Sequence, residues 1–521
     1  MLSKPLALTL LVAAGCGQPD GGAGNATNVV SHGPRPNIVL IVIDTARADH
    51  FSCYGYGSPT TPNVDALAAR GIRFENAHSV APWTLPSHMS MFTGLAPRDH
   101  GATWAAFSEP ESASTHELLA RSFTPAEPGR MLPARLKTAG YRTYGFSPNP
   151  WVSGNHGFAK GFDEFVELWR KDEARQGSVQ LQVRRKGTPE EQLAEDFEHS
   201  KSGASVAGVK RLLAEHPRGE PFFLFVNFLD PHFPYDPPDL FLKRFGGAQK
   251  NVYALKRKIT NELGMISGLP LFSSAQLVPL YDADLAAADH AVGELVRALE
   301  SAGLFEDTLI VLTSDHGELL GENGRFSHQL YVDEPLMHVP LILKLPQGRR
   351  AGTVVDAPLV SNLDVYATVL GAAGVEGELS DSHDLDGESA GARELLIGEY
   401  EPSRAYLRQL TARNDAFDFD GHLRGRFVVY TSEFRTELAG REALATTPLH
   451  GTADESRLAQ ASRAAEKALA TYLAAKDERR RGTAGSAADA ETRAELEALG
   501  YVGSEEPEKP AKAPRAEKRR K

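Results

Sequence analysis

Three side chains with metal-ligand chemistry stand at the ends of apolar runs. Asp44 follows the run 37–43, and Asp315 and His316 follow Thr308–Thr313 after Ser314. Two carboxylates and an imidazole make an oxygen/nitrogen donor set suited to a divalent cation. Each also has a plainer reading. Asp44 suits a helix N-cap, where Asp is favoured. Asp315-His316 suits a structural hydrogen-bonded pair. Between them lies the segment 81–94, APWTLPSHMSMFTG. Pro86 fits the first turn of a helix ending near Gly94. Thr84 then sits just before the helix N-terminus, where the dipole favours an anion. A threonine hydroxyl is a poor nucleophile unless a metal or base lowers its pKa. A cation held by Asp44, Asp315 and His316 would do that, with the alkoxide as fourth ligand. The alternative is that Thr84 is only an N-cap.

These residues need elements to bring them together. Four apolar runs end in polar, chemistry-capable residues: 37–43 in Asp44, 141–146 in Ser147-Pro148-Asn149, 222–229 in Asp230-Pro231-His232, and 308–313 in Ser314-Asp315-His316. Continuous runs of this length read as strands buried on both faces. Helical patterns separate them. Thr61-Pro62 opens one that closes at Arg70-Gly71, and 281–304 is a long amphipathic one. The alternation predicts an α/β fold, a mostly parallel central sheet flanked by helices. Ligands in such sheets bind beyond the carboxyl ends of the strands, so all four polar clusters can share one crevice. The alternation fades after residue 375. A strand at 426–431 and an alanine-rich helix at 454–477 predict a smaller C-terminal α+β subdomain over 376–503. Residues 170–204 read as a polar insertion.

The chain has 521 residues, 41% hydrophobic and 24% charged, which rules out disorder over its whole length. No apolar run reaches the ~18 residues of a membrane span. A net charge of −12 argues against a nucleic-acid partner. Two cysteines, Cys16 and Cys53, give no disulfide framework and no cysteine zinc site. Lys4, the apolar run 6–12 and Ala13-Ala14-Gly15 before Cys16 read as a signal peptide over 1–16. Small residues directly before a cysteine resemble the bacterial lipobox, although Ala13 stands where leucine is usual. The expectation is an exported lipoprotein, anchored through Cys16 to a membrane facing the periplasm or cell exterior. Residues 17–35 then form a flexible tether, and 504–521 a disordered tail with a basic finish.

Over 36–375 the chain resembles the sulfatase family of the alkaline phosphatase superfamily. The resemblance rests on PNIVLIVID (36–44), on TLPSH (84–88) with Thr93-Gly94, on DPHFPY (230–235) and on TSDHGE (313–318). Tyr281-Asp282-Ala283-Asp284 and 496–502 add support. The resemblance implies a metal-dependent hydrolase of sulfate or phosphate esters. It places Thr84 where sulfatases have the cysteine or serine that matures to formylglycine, and His88 where they have an arginine. Threonine is not a substrate for that maturation, so Thr84 itself would attack. Thr45 stands where many sulfatases carry a second aspartate. Calcium favours six or more oxygen ligands, so the set Asp44, Thr84, Asp315 and His316 implies one manganese, zinc or magnesium ion, with calcium less suited. His232 and His328 match positions that touch the transferred group or the leaving oxygen, with a turn-stabilising and a surface histidine as their plainer readings. A histidine at 328, where many sulfatases have lysine, suits a general acid. Asn149 lies where a Lys-x-His substrate segment is often found, and that segment is missing. Arg47 would pair with the anion or with Asp49. His100 and His338 read as structural. The implied partner is an anionic ester, on a glycan or a lipid. The alternatives are a phospho-group transferase or phosphodiesterase of the same superfamily, or an inactive sulfatase-like binder of anionic glycans.

Overall fold

The computed structural model describes residues 35–104, 121–170, 197, 200–245, 273–356, 359–376, 381–387, 393–402, 404–475, 483–487 and 490–499. The expected signal peptide, nearly all of the tether, most of the 170–204 insertion and the basic tail lie outside these residues.

The run at 37–43 forms the central strand β1 (Asn37–Ile43). Its six residues from Ile38 to Ile43 are fully buried, and they are dealt alternately to two cores. Ile38, Leu40 and Val42 enter the core on one face. Val39, Ile41 and Ile43 enter the core on the other. This is what a period of two gives when both faces are covered. The other strands of the sheet are β2 (Ile72–Phe74), β3 (Arg142–Ser147), β4 (Glu164–Glu167), β5 (Phe222–Phe228), β6 (Thr308–Thr313), β7 (Leu341–Lys344) and β8 (Thr353–Val355). Their order is β8-β2-β7-β6-β1-β5-β3-β4. Only β7 runs against its neighbours β2 and β6. Every other pairing is parallel. The fold is therefore α/β with a mostly parallel sheet. The four strands that end in polar clusters, β6, β1, β5 and β3, are consecutive. Val42 lies opposite Asn227 on one side and Thr313 on the other, so their carboxyl ends emerge together.

Helix α1 (Pro62–Ala69) starts as expected, with Thr61 at the N-cap and Pro62 at the first position. The Thr61 side chain makes no capping bond there. Asp289, from a distant helix, accepts from Val64 N (2.8 Å) and Asn63 N (3.2 Å) instead. Helix α2 (Thr84–Thr93) has Trp83 in extended conformation at its N-cap. The helix thus begins earlier than expected, with Thr84 as its first residue and not its N-cap. Gly94 closes the helix at φ 68°, and a Cβ there would meet the Tyr366 ring at 2.5 Å. Helix α3 (Lys201–Glu215) puts Val206, Val209 and Leu212 into the core that also holds Val39 and Ile41. Helix α4 (Ser274–Ser301) begins seven residues before the expected start at 281, because Ser273 and Gln276 form a capping box.

Past residue 375 the chain forms an antiparallel sheet of β9 (Leu396–Tyr400), β10 (Arg426–Tyr430), β11 (Phe434–Ala439) and β12 (Glu442–Pro448), in that order. Helix α5 (Glu455–Ala474) covers it, with the Asp454 side chain accepting from Arg457 N. Ile397, Phe427, Val429 and Leu438 form a small core with Ala465 and Leu469 of α5. The alternate residues Leu396, Val428 and Tyr430 join the large core that also holds Ile38 and Leu40. The two sheets thus share apolar contacts.

Candidate active site

Asp44 leaves β1 with its N–H bonded to the Phe228 carbonyl at 2.9 Å. It caps no helix; the short helical turn after it starts at Ala48, with Arg47 before it. Its Oδ2 accepts from Asn149 Nδ2 (2.7 Å) and Asn227 Nδ2 (3.5 Å). Its Oδ1 is buried with no hydrogen-bond partner. Asp315 follows the same plan. Oδ1 accepts from the backbone N–H groups of Thr45 (3.1 Å) and His316 (2.9 Å). Oδ2 is buried without a hydrogen bond, 3.3 Å from His316 Nε2 and 3.4 Å from His88 Nδ1. His316 Nδ1 faces the Gly317 carbonyl at 2.9 Å, a bond that needs the proton on Nδ1 and leaves Nε2 a lone pair. One ligand atom from each of the three residues lies within 4.8 Å of the others.

All three side chains are fully buried. Burial pushes the Asp44 carboxyl up to about 7, against the pull of its Asn149 bond. Burial and the neighbouring Asp44 push Asp315 well above the usual carboxylate range. Burial and the facing His328 hold His316 well below the usual imidazole value. Two buried carboxylates this close disfavour each other's ionised form. Two unpartnered carboxylate oxygens beside an imidazole lone pair fit a divalent cation, which would satisfy all three.

Thr84 Oγ1 lies 3.5 Å from His316 Nε2, at the positive end of α2. One turn on, His88 Nδ1 faces the Thr84 carbonyl at 3.0 Å. The His88 ring stands edge-on to Phe158 and Phe225, and burial pushes it down to about 3, so it is neutral at pH 7. His328 comes from the loop after 326–327. Its Nδ1 lies 3.2 Å from Glu318 Oε1, and both residues are fully buried, so it is not a surface histidine. Its ring centroid is 4.7 Å from that of His316 and 5.1 Å from that of His232. The loop around it is strained: Ser327, Gln329 and Leu330 have φ of 66°, 82° and 63°. Non-glycine residues held there cost on the order of 1–3 kcal/mol each and cluster at functional sites. His232 Nδ1 bonds the Phe233 carbonyl.

Asn149 is placed against Asp44 and orients that carboxylate. Arg47 pairs with both Asp49 (2.8 Å) and Glu322 (2.6 Å). His100 bonds Ser90 Oγ at 3.0 Å, and His338 the Glu75 carbonyl at 2.7 Å. Sequence reasoning missed Asn227 and the partnership of Glu318. Asn227 had a readable signal, being the one polar residue in an otherwise apolar strand.

The sulfatase family model matches residues 36–375 of the 521. The chain belongs to the sulfatase family. It is a hydrolase of sulfate or phosphate esters. The Escherichia coli (strain K12) sulfatase YidJ is 26% identical over 364 residues, covering 66% of this chain and 68% of that protein. The N-acetylglucosamine-6-O-sulfatase of Bacteroides thetaiotaomicron is 25% identical over 405 residues, covering 66% and 68%. Among solved structures, the phosphonate monoester hydrolase of Agrobacterium radiobacter superposes with a TM-score of 0.59 at 18% identity, covering 84% of this chain and 96% of that one. That likeness extends the shared fold beyond the matched residues of this sulfatase-family chain.

Proposed function

We propose that the protein cleaves its ester through Thr84 and one divalent cation. The observation that carries this reading is the pair of buried, unpartnered oxygens, Asp44 Oδ1 and Asp315 Oδ2, beside His316 and the Thr84 hydroxyl. Asp44, Asp315 and His316 would hold the cation, with Thr84 Oγ1 as a further donor. The mixed oxygen/nitrogen set suits manganese, zinc or magnesium better than calcium. A cation there would lower the pKa of the hydroxyl and neutralise the substrate's non-bridging oxygens. Thr84 gives its proton to solvent, and its oxygen bonds to sulfur or phosphorus as the ester bond opposite breaks. His328 or His232 protonates the leaving oxygen. Water then attacks the threonyl ester, releases sulfate or phosphate and restores the hydroxyl. Thr84 stands in for formylglycine, and the neutral His88 for a cationic arginine. The N-acetylglucosamine-6-O-sulfatase relative supports a glycan sulfate as substrate. The fold shared with a phosphonate monoester hydrolase supports a phosphorus ester as the second reading. We place the enzyme outside the inner membrane, anchored at Cys16.

The test is an assay of metal-stripped protein with aryl sulfate, phosphate monoester and phosphodiester, replenished with Mn²⁺, Zn²⁺, Mg²⁺ or Ca²⁺ in turn. Activity should return with one of the first three. Full turnover without any metal would overturn the reading.

A further inference from the structure

Thr45, the residue after Asp44, has φ 54° and is fully buried. A β-branched residue is rarely found in this left-handed region, which glycine and asparagine enter readily. One hydroxyl grips the turn from both sides. Tyr281 OH donates to the Thr45 carbonyl at 2.8 Å and accepts from Arg47 N–H at 2.9 Å. In this conformation the Thr45 N–H reaches Asp315 Oδ1 at 3.1 Å, and the Ala46 N–H reaches Ser314 Oγ at 2.9 Å. Asp315 Oδ1 is therefore committed to two backbone donors, those of Thr45 and His316. A carboxylate pinned by one oxygen presents the other in a fixed direction, and Oδ2 is the unpartnered one. Tyr281 is itself fully buried. Its helix is tied to the same region by the next residue, since Asp282 bonds His50 Nδ1 (2.7 Å) and accepts from Tyr56 OH (2.8 Å).

We propose that Tyr281 is a positioning residue of the metal site: its phenol latches the left-handed Thr45 turn and so sets which oxygen of Asp315 is offered to the cation. This rests on the reading that Asp44, Asp315 and His316 hold that cation. It also gives a task to the Tyr281-Asp282-Ala283-Asp284 segment that the reaction does not use. Supports that orient metal ligands typically change affinity 10- to 100-fold when removed.

The experiment is calorimetric titration of the full chain with Mn²⁺. Tyr281→Phe keeps the ring and removes only the hydroxyl. It should weaken Mn²⁺ binding about tenfold or more, with unchanged stoichiometry and unchanged far-UV circular dichroism. Thr45→Gly supplies a residue that adopts the turn without a latch. In that background, Tyr281→Phe should weaken binding about threefold or less, because the two changes act on one conformation. Wild-type affinity in Tyr281→Phe overturns the latch alone. Equal losses in both backgrounds overturn it too, since the phenol would then act elsewhere. Should the wild type bind no Mn²⁺, the same titrations are run with Zn²⁺ and Mg²⁺, and absence of binding of all three overturns the metal reading together with the latch. Should Tyr281→Phe alone not fold, the double variant must fold and bind within about threefold of Thr45→Gly; an unfolded double variant overturns the proposal.

Discussion

At the scale of residues, a threonine hydroxyl has no useful acidity of its own, so the case for Thr84 lies in its neighbours, with His316 Nε2 3.5 Å away. Thr84→Ala should cost about 10³-fold or more in kcat, because water would have to attack directly. Thr84→Ser should keep a measurable fraction, since the hydroxyl survives. Steady-state kinetics on one substrate decides both, and near wild-type turnover by Thr84→Ala would reduce Thr84 to a helix residue. Asp44 gives a pH signature. Its folded value of about 7 lies above the unfolded carboxylate value, so the folded chain holds the proton more tightly. Its contribution to the stability of metal-free protein is therefore complete below about pH 4 and is lost as pH rises through about 7. The melting temperature of metal-stripped protein should fall across that window, and Asp44→Asn should flatten the fall. A fall of equal size in Asp44→Asn would show that other groups cause it. Asp44, Asp315 and His316 were legible because each breaks an apolar run. The Glu318–His328 pair was not, because left-handed residues, Asn323 and Ser327 between them and Gln329 and Leu330 just beyond, turn the chain so that side chains whose spacing suggests no contact meet.

At the scale of elements, α4 acts as a rack for segments distant in sequence. Tyr281 holds the Thr45 turn, Asp282 holds His50 and Tyr56, Asp284 accepts from Asp236 N at 2.9 Å, and Asp289 caps α1. Asp289 also accepts from Asn63 Nδ2 at 2.7 Å, so its loss removes the cap and one side-chain bond together. Asp289→Ala should cost about 1–2 kcal/mol, read as a lower midpoint in urea. A change within ~0.5 kcal/mol, the range of ordinary surface substitutions, would mean that Thr61 or water replaces the cap. The rack was only partly legible. The amphipathic pattern located its middle, but Pro279 interrupts the first turns, and the Ser273–Gln276 box that starts the helix went unread. The cap on α1 was misplaced for a related reason. Thr61-Pro62 is a good local start signal, and no local signal reveals a carboxylate more than two hundred residues away.

At the scale of the whole molecule, four consecutive strand ends build the site, and their order follows from parallel pairing of runs that were visible as runs. The antiparallel C-terminal sheet was visible only in part, as one strand and one helix, because β11 buries a polar residue, Thr436, among its apolar ones and β12 is half-exposed. If Cys16 carries lipid, Cys16→Ser should shift the protein from the membrane to the soluble exported fraction; equal membrane association in the variant would refute the anchor. The alternate dealing of β1 side chains to two cores has a consequence at the level of codons. Asp44 is held by Phe228 and Asn149, so an in-frame deletion within 37–43 displaces the residues before the gap. Each displaced residue turns to the opposite face. Losing the codon for Ile38 turns over one strand residue, whereas losing that for Ile43 turns over six and exchanges the contributions of β1 to the two cores. A scan of single-codon deletions should therefore show tolerance declining steadily from Ile38 toward Ile43, a gradient that no ranking of those residues by hydrophobicity would produce.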